Sequence, residues 1–207
     1  MEVKFTEQQS MEVISEMIDR ARNNVQKGSA NSMIFWGFVI AFIAILNIIL
    51  MHTLNSPYQS YWVWTLTIPC IAISYFNKRK IDRTAIVRTH IDKIVTSAWV
   101  AFGISNFIFI FLIFWMAYGW KNYQLFMLIT PVIMLMVALA QFVTAKACRF
   151  RPFLYGALVM WLGAVCCVLS YFLLKRTDIQ FAILAIGMIM SFVIPGYQLN
   201  SKAKDHV

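Results

Sequence analysis

Apolar residues run almost without interruption through six stretches of this chain, at about 33–51, 61–76, 97–118, 123–145, 153–174 and 179–197, and none contains an Asp, Glu, Lys or Arg. Each is roughly 16 to 23 residues long, close to the ~20 that an α-helix needs to cross ~30 Å of hydrocarbon. The second is the shortest and has to draw on flanking residues. Lipid offers backbone N–H and C=O groups no partner, so a spanning segment must satisfy them internally. These stretches are too long and too uniformly apolar for the strand alternation of a barrel. The pattern predicts an all-α polytopic membrane protein with six transmembrane helices.

Ahead of the first stretch the pattern changes. Residues 6–28 read as an amphipathic helix, with Thr6 as N-cap, Gln9 completing a capping box and Gly28 as the C-terminal stop. Met11, Ile14, Met17, Ile18, Ala21 and Val25 share a face about 120° wide, while Glu12, Glu16, Asp19 and Asn23 lie opposite. The expected organisation is a helix over 1–30, a six-helix transmembrane domain over 31–199 and a tail over 200–207.

Charge sets the orientation. Every Lys and Arg except Lys121, Lys175 and Arg176 falls on one side of the predicted spans, and basic residues accumulate in short cytoplasmic loops. Both termini are therefore expected in the cytoplasm. The net charge of +9 follows from this loop bias and does not point to nucleic acid; anionic lipid headgroups are its ordinary partner. Tyr58, Tyr61, Trp62, Trp64, Trp115, Tyr118, Trp120 and Tyr123 fall at the predicted outer interface, where amphipathic rings form a belt. The first 30 residues are polar and lack the apolar core of a cleavable signal peptide. Cys70, Cys166 and Cys167 fall inside spans and Cys148 at a cytoplasmic edge, so they read as small apolar packing residues.

The amphipathic helix has an acidic polar face: residues 1–27 hold five acids and four bases, unlike the basic helices that lie on anionic membranes. It suits docking against protein. The loop from Asn77 to Thr96 is the longest and most basic, carrying Arg79, Arg83 and Arg88 among others, and is the natural acceptor for that acidic face or an ordinary solvated loop. The six spans also pair as three hairpins. Trp36, Trp99 and Tyr155 begin the odd spans at offsets of 63 and 56, and Pro69, Pro131 and Gly187 sit in the even ones at offsets of 62 and 56. Three tandem hairpins would form a bundle of approximate threefold character.

Catalysis at membrane depth needs a nucleophile with a base, paired carboxylates or metal ligands. The spans hold neither carboxylates nor histidines; His52 lies just beyond the first, His90 in the basic loop and His206 at the tail. Gly103-Ile104-Ser105 lacks the glycine and partners of a serine-hydrolase turn. No enzyme, metal site or cofactor is read here. Charge-coupled transport is also disfavoured, because it relies on ionisable groups inside the bundle. What remains at depth is neutral: Asn47, Asn106, Gln141, Thr67, Thr130, Ser170 and Ser191, whose ordinary use is interhelical hydrogen bonding. If Pro69 and Pro131 kink their helices, they line a cavity with Asn47, Asn106 and Gln141 for a neutral or lipid-like ligand. Gly156 and Gly163, seven apart on one face, suit helix contacts within one subunit or between copies in a homo-oligomer.

Thr89-His90-Ile91-Asp92-Lys93 before the third span, Arg151-Pro152-Phe153 opening the fifth and Ile194-Pro195-Gly196-Tyr197 closing the sixth resemble a group of uncharacterised bacterial six-span proteins, over the whole chain. The resemblance implies a bacterial cytoplasmic (inner) membrane location, often beside small transcriptional regulators, and no established activity. Physically, Pro152 suits a first helical turn, and Pro195-Gly196 should end the sixth helix. The expected function is a non-enzymatic signalling or interaction subunit that contacts membrane lipids and binds a cytoplasmic protein through Met11, Ile14, Met17 and Ile18 with Arg79, Arg83 and Arg88. A transporter or small-molecule-binding bundle is the alternative.

Overall fold

A computed structural model describes residues 7–54, 57–84 and 90–202, and all the regular structure among them is helical. The chain runs through α1 (Glu7–Thr53), a 3₁₀ segment (Pro57–Leu66), α2 (Thr67–Thr84), α3 (His90–Gly119), a 3₁₀ segment (Tyr123–Leu128), α4 (Ile129–Cys148), α5 (Arg151–Leu174), α6 (Asp178–Met188), a π-helical segment (Ile189–Val193) and α7 (Ile194–Lys202). Among the described residues five stretches are long and apolar enough to cross a membrane: Ala30–Thr53, Lys93–Gly119, Tyr123–Cys148, Arg151–Leu174 and Asp178–Ser201.

The expected second span, 61–76, does not form one such helix. Its first part is the 3₁₀ segment, and α2 ends in the charged run from Asn77 to Thr84. The cause lies at Pro69. A single α-helix through this region would need a Pro69 N–H bonded to the Thr65 carbonyl, and proline has none. The helix restarts at Thr67 instead, with Pro69 in its first turn, where an N–H would have no intrahelical partner anyway. The hydroxyls of Thr65 and Thr67 donate to the carbonyls of Trp62 (2.8 Å) and Trp64 (2.7 Å), three residues back. Pro131 does the same to α4, which restarts at Ile129 after its own 3₁₀ segment. The two junctions lie 62 residues apart, the same offset as the prolines. Neither proline therefore sits mid-helix, and the expected pair of kinks is replaced by a pair of 3₁₀-to-α junctions.

Two expected helix ends are also overturned. Gly28 does not stop the first helix, because α1 continues unbroken for 47 residues from Glu7 to Thr53. An interior glycine costs only about 1 kcal/mol against alanine, and no proline follows it. The Thr6 cap lies outside the described residues. Pro195-Gly196 does not end the last helix, which runs on to Lys202 after the π segment. Pro152 stands in the first turn of α5, as its sequence context predicts.

α1 packs along α6, the π segment and α7; α5 packs against α4, α6 and the π segment; α3 lies on α4, and α2 rests on α1 and its own 3₁₀ segment. Among the described residues the first hairpin meets the second chiefly where Tyr61 of its 3₁₀ segment packs on Phe126, with ring centroids 5.6 Å apart, and α2 and α3 share no extensive interface. The core is filled by Ala41, Ala44, Met134, Val137, Phe153, Met160, Cys167, Phe181 and Phe192. Trp62, Trp115, Tyr118 and Trp120 are exposed, as a belt requires, whereas Tyr61 and Trp64 turn inward against Phe181. The turns after α4 and α5 are made by Arg149 (φ 50°) and Lys175 (φ 54°), left-handed caps where cations sit favourably at the helix C-terminus.

Glycine allows the close approaches. A Cβ at Gly37 of α1 would lie 2.7 Å from Val193 Cγ2, and one at Gly156 of α5 would lie 2.5 Å from Gln141 Nε2 and 2.8 Å from the Ser191 carbonyl. One at Gly163 would meet Met134 Cε at 2.4 Å, so both glycines of the α5 stripe serve contacts within the subunit. Gly103 has nothing within 4 Å. Gly156→Ala should therefore lower stability by about 1–3 kcal/mol through overpacking. Gly103→Ala should leave stability unchanged or raise it by up to about 1 kcal/mol through helix propensity. Thermal unfolding in detergent, followed by circular dichroism, measures the contrast.

Candidate functional site

The most constrained polar arrangement surrounds the π segment. Pro195 has no N–H, so the Ser191 carbonyl four residues before it lacks the donor that a regular α-helix would supply. Pro195 is followed by helix nonetheless, and the strain is absorbed upstream: the Ile194 N–H reaches back five residues to the Ile189 carbonyl. The Ser191 carbonyl is served from α4, where Gln141 Nε2 donates to it at 2.5 Å. The Ser191 hydroxyl in turn donates to the Gly156 carbonyl of α5 at 2.8 Å. Gln141 and Ser191 are wholly buried, and the Gln141 Oε1 has no partner among the described residues. One side-chain amide and one hydroxyl thus tie α4, α5 and the last helix together where that helix changes its winding.

Other buried polar side chains work in pairs. Asn47 of α1 donates to the Ser60 carbonyl (3.2 Å) and accepts from the Ser60 hydroxyl (3.4 Å). Gln180 donates to the Cys167 carbonyl at 3.1 Å, while Cys167 Sγ lies 3.7 Å from the Gln180 carbonyl oxygen. Each pair joins a helix to its sequence neighbour across a turn. All are neutral and bonded to other groups of the protein, so they fix the geometry between neighbouring helices.

Among the described residues, charged side chains gather at the two ends. At one, Asp178 at the start of α6 lies 3.4 Å from His52 Nε2 of α1 and takes two hydrogen bonds from the Arg176 guanidinium. Hydrogen bonding to that carboxylate holds Arg176 still more firmly in its charged form. At the other end the two-residue turn between α4 and α5 gathers Lys146, Arg149 and Arg151 around an open hollow of about 230 Å³. A second open hollow, about 450 Å³, is lined by Phe111, Phe114, Trp115, Tyr118 and Gly119 on α3. No group of three or more His, Cys, Asp or Glu side chains is placed to hold a metal among the described residues.

The five residues expected to line a cavity are not brought together around either hollow. Asn47 is occupied by Ser60, and Gln141 by Ser191. Asn106 is half-buried on α3 with its Oδ1 unpartnered among the described residues; Pro69 is exposed, and Pro131 is buried in the first turn of α4. Of the expected partner-binding residues, Arg79 is exposed near the end of α2. Arg88 lies outside the described residues, as do the side chains of Met11, Ile14, Met17, Ile18 and Arg83. Sequence reasoning missed Ser60, Gln180 and the tie between Gln141 and Ser191. Pro195 inside an apolar run was the available signal for the last, since it orphans a carbonyl at a known position.

Comparison with protein-family models, with curated proteins and with solved structures found no match to this chain.

Because the Gln141 amide serves the carbonyl that Pro195 orphans, the two residues should be coupled. Gln141→Leu should cost about 1–2 kcal/mol of thermal stability in detergent. In a Pro195→Ala background that cost should fall towards zero, because the restored N–H can take over the Ser191 carbonyl. Equal costs in both backgrounds would show that the amide acts independently of the proline.

Proposed function

We propose that this chain is a non-enzymatic, six-span protein of a bacterial cytoplasmic membrane that acts as a regulatory or interaction subunit, engaging a cytoplasmic protein through the N-terminal part of its first helix. The observation that carries this reading is the continuity of α1, 47 residues from Glu7 to Thr53. Residues 7–29 form an arm about 35 Å long at 1.5 Å per residue. Where the arm joins the span, the backbone is tightly held: a Cβ at Gly196 of α7 would lie 3.2 Å from the Ala30 carbonyl, and one at Gly37 would touch Val193. A partner that tilts or rotates the arm therefore works directly on the π segment and α7. A flexible linker at Gly28 would have uncoupled them. The sequence places Met11, Ile14, Met17 and Ile18 on one face of this arm and Glu12, Glu16 and Asp19 on the opposite one, a pattern suited to protein.

The sixth crossing in this proposal is 57–76. Ten residues of 3₁₀ helix at ~2.0 Å and ten of α-helix at ~1.5 Å reach about 35 Å, enough to traverse the hydrocarbon. The charged end of α2 then emerges on the side of the other basic turns, and both termini lie in the cytoplasm by the positive-inside rule. The transport reading draws less support, because Asn47 and Gln141 are bonded to different partners, the five residues line no common hollow among those described, and the interior is filled by Met134, Phe153 and Met160.

Two experiments test this. In a cysteine-free background, Asn55→Cys and Asn122→Cys should react with an impermeant maleimide from outside intact cells, and Asn77→Cys and Asn200→Cys only after permeabilisation. Outside labelling of Asn77→Cys would remove the second span. For the partner, the full chain, a chain lacking residues 1–28 and a Gly28→Pro variant are captured from native membranes in mild detergent. A soluble protein retained by the full chain, lost with the arm and weakened by the helix break is the expected result. Identical recoveries from all three would end the proposal.

A further inference from the structure

The turn between α4 and α5 contains only Arg149 and Phe150, and its tightness gathers three cations in six residues of sequence. The Phe150 N–H bonds the Ala145 carbonyl (3.2 Å), which folds the chain back on α4, and Phe150 packs on Phe153 at 4.8 Å between ring centroids. The hollow so formed has two kinds of wall. Lys146, Arg149 and Arg151 supply the charged side chains, and Ala145, Phe150 and Leu154 supply the apolar ones. The three cations are exposed. Lys146 lies with its Nζ 5.5 Å from the Phe142 ring centre, one helical turn deeper.

Nothing described neutralises them. Asp178 is the one acidic residue whose side chain is described, and it stands at the opposite end of the bundle, bound to Arg176. The turn is also unlike those after α3 and α5, which carry Lys121 alone, or Lys175 with Arg176 already committed to Asp178. Backbone geometry adds to the contrast. Arg149 occupies a left-handed conformation that glycine adopts most easily, so a long cation stands where the fold itself asks for none.

We infer that this hollow is a binding site for the phosphate headgroup of an anionic phospholipid, seated at the end of the bundle where α4 and α5 meet. The match is chemical and geometric. Two guanidinium groups and an ammonium suit a phosphodiester, which guanidinium grips with paired hydrogen bonds. The apolar wall extends along Leu154 toward the membrane interior, which suits the first carbons of the acyl chains. A volume of about 230 Å³ holds a glycerophosphate headgroup and not a whole lipid, whose tails would remain among their neighbours. Because α5 also carries Gly156, whose carbonyl accepts from Ser191, a lipid that braces the start of α5 also braces the tie to the last helix.

The test uses the full-length chain in nanodiscs and native mass spectrometry, with dioleoylphosphatidylglycerol as the probe and dioleoylphosphatidylcholine as the neutral comparison. The wild-type chain should retain one phosphatidylglycerol at collision energies that strip phosphatidylcholine. The combined variant Lys146→Gln, Arg149→Gln, Arg151→Gln should lower that retention roughly a hundredfold, at about fivefold per cation near a membrane surface. The pair Lys121→Gln, Lys175→Gln at the other end should not change it. Leu154→Trp keeps all three charges and fills the hollow, so it too should abolish selective retention, and it decides the matter if the charge variant fails to fold. Undiminished retention by Leu154→Trp, or equal losses from the two charge variants, would mean that general surface attraction binds the lipid, and the site would be rejected. Thermal protection in detergent by glycerol 3-phosphate, with none by phosphatidylglycerol, would assign the cations to a soluble phosphate and overturn the lipid proposal.

Discussion

The backbone carbonyl of Ser191 is the constraint around which this molecule is arranged. A proline four residues downstream removes its helical donor, and at membrane depth water cannot stand in. The fold answers by widening the last helix into a π segment and by sending the Gln141 amide across from α4. Everything near that contact follows from it. α5 must approach closely enough for the Ser191 hydroxyl to reach the Gly156 carbonyl, which only glycine at 156 permits. α1 must lie against Phe192 and Val193, which Gly37 permits from the other side. Helices α1, α4, α5 and the last helix thereby acquire a fixed register that apolar packing alone would leave loosely specified.

The same economy explains the emptiness of the interior. Among the described residues every buried polar pair between elements is neutral, while the ionic groups sit at the two rims. Methionine fills the space that glycine leaves, as Met134 does against Gly163 and Gly187. Asn47, Gln141, Gln180 and Ser191 are held inside the bundle in such neutral hydrogen-bonded pairs. The last helix departs from regular winding at the π segment, a feature that often falls at functional sites. The long first helix abuts that place, and the cationic turn ends six residues before Gly156, under two helical turns away. In the proposed roles, a partner on the first helix and a lipid headgroup at the cationic turn would both bear on the same structural element from different directions.

Much was legible in advance because membranes impose strict rules. Charge-free apolar runs marked all five candidate spans, and Pro152 marked the start of α5. Prolines were misread for a common reason. Pro69 and Pro131 looked like mid-helix kinks because the apolar pattern continues on both sides, yet each sits in the first turn of a helix whose preceding segment is 3₁₀. Pro195 looked like a stop because glycine follows it, yet helix continues through it. Whether a proline ends, kinks or opens a helix depends on whether a neighbour can serve the carbonyl it orphans, and that neighbour is distant in sequence. Gln141 lies 50 residues from Ser191.

By itself, then, the sequence determined what each segment had to be: helical where lipid forbids exposed backbone, neutral where charge is costly, basic on one side. Those outcomes depend on the solvent each segment meets, which composition alone reveals. Only the tertiary structure decided which helices touch and what each polar residue does. It separated Gly103, facing open space, from Gly37 and Gly156, which are pressed against the π segment. It distributed Asn47 and Gln141 to different partners, and it gathered Lys146, Arg149 and Arg151 around one hollow. Helix contacts within lipid depend on shape and on a few hydrogen bonds between residues far apart in the chain, and neither leaves a periodic trace in the sequence.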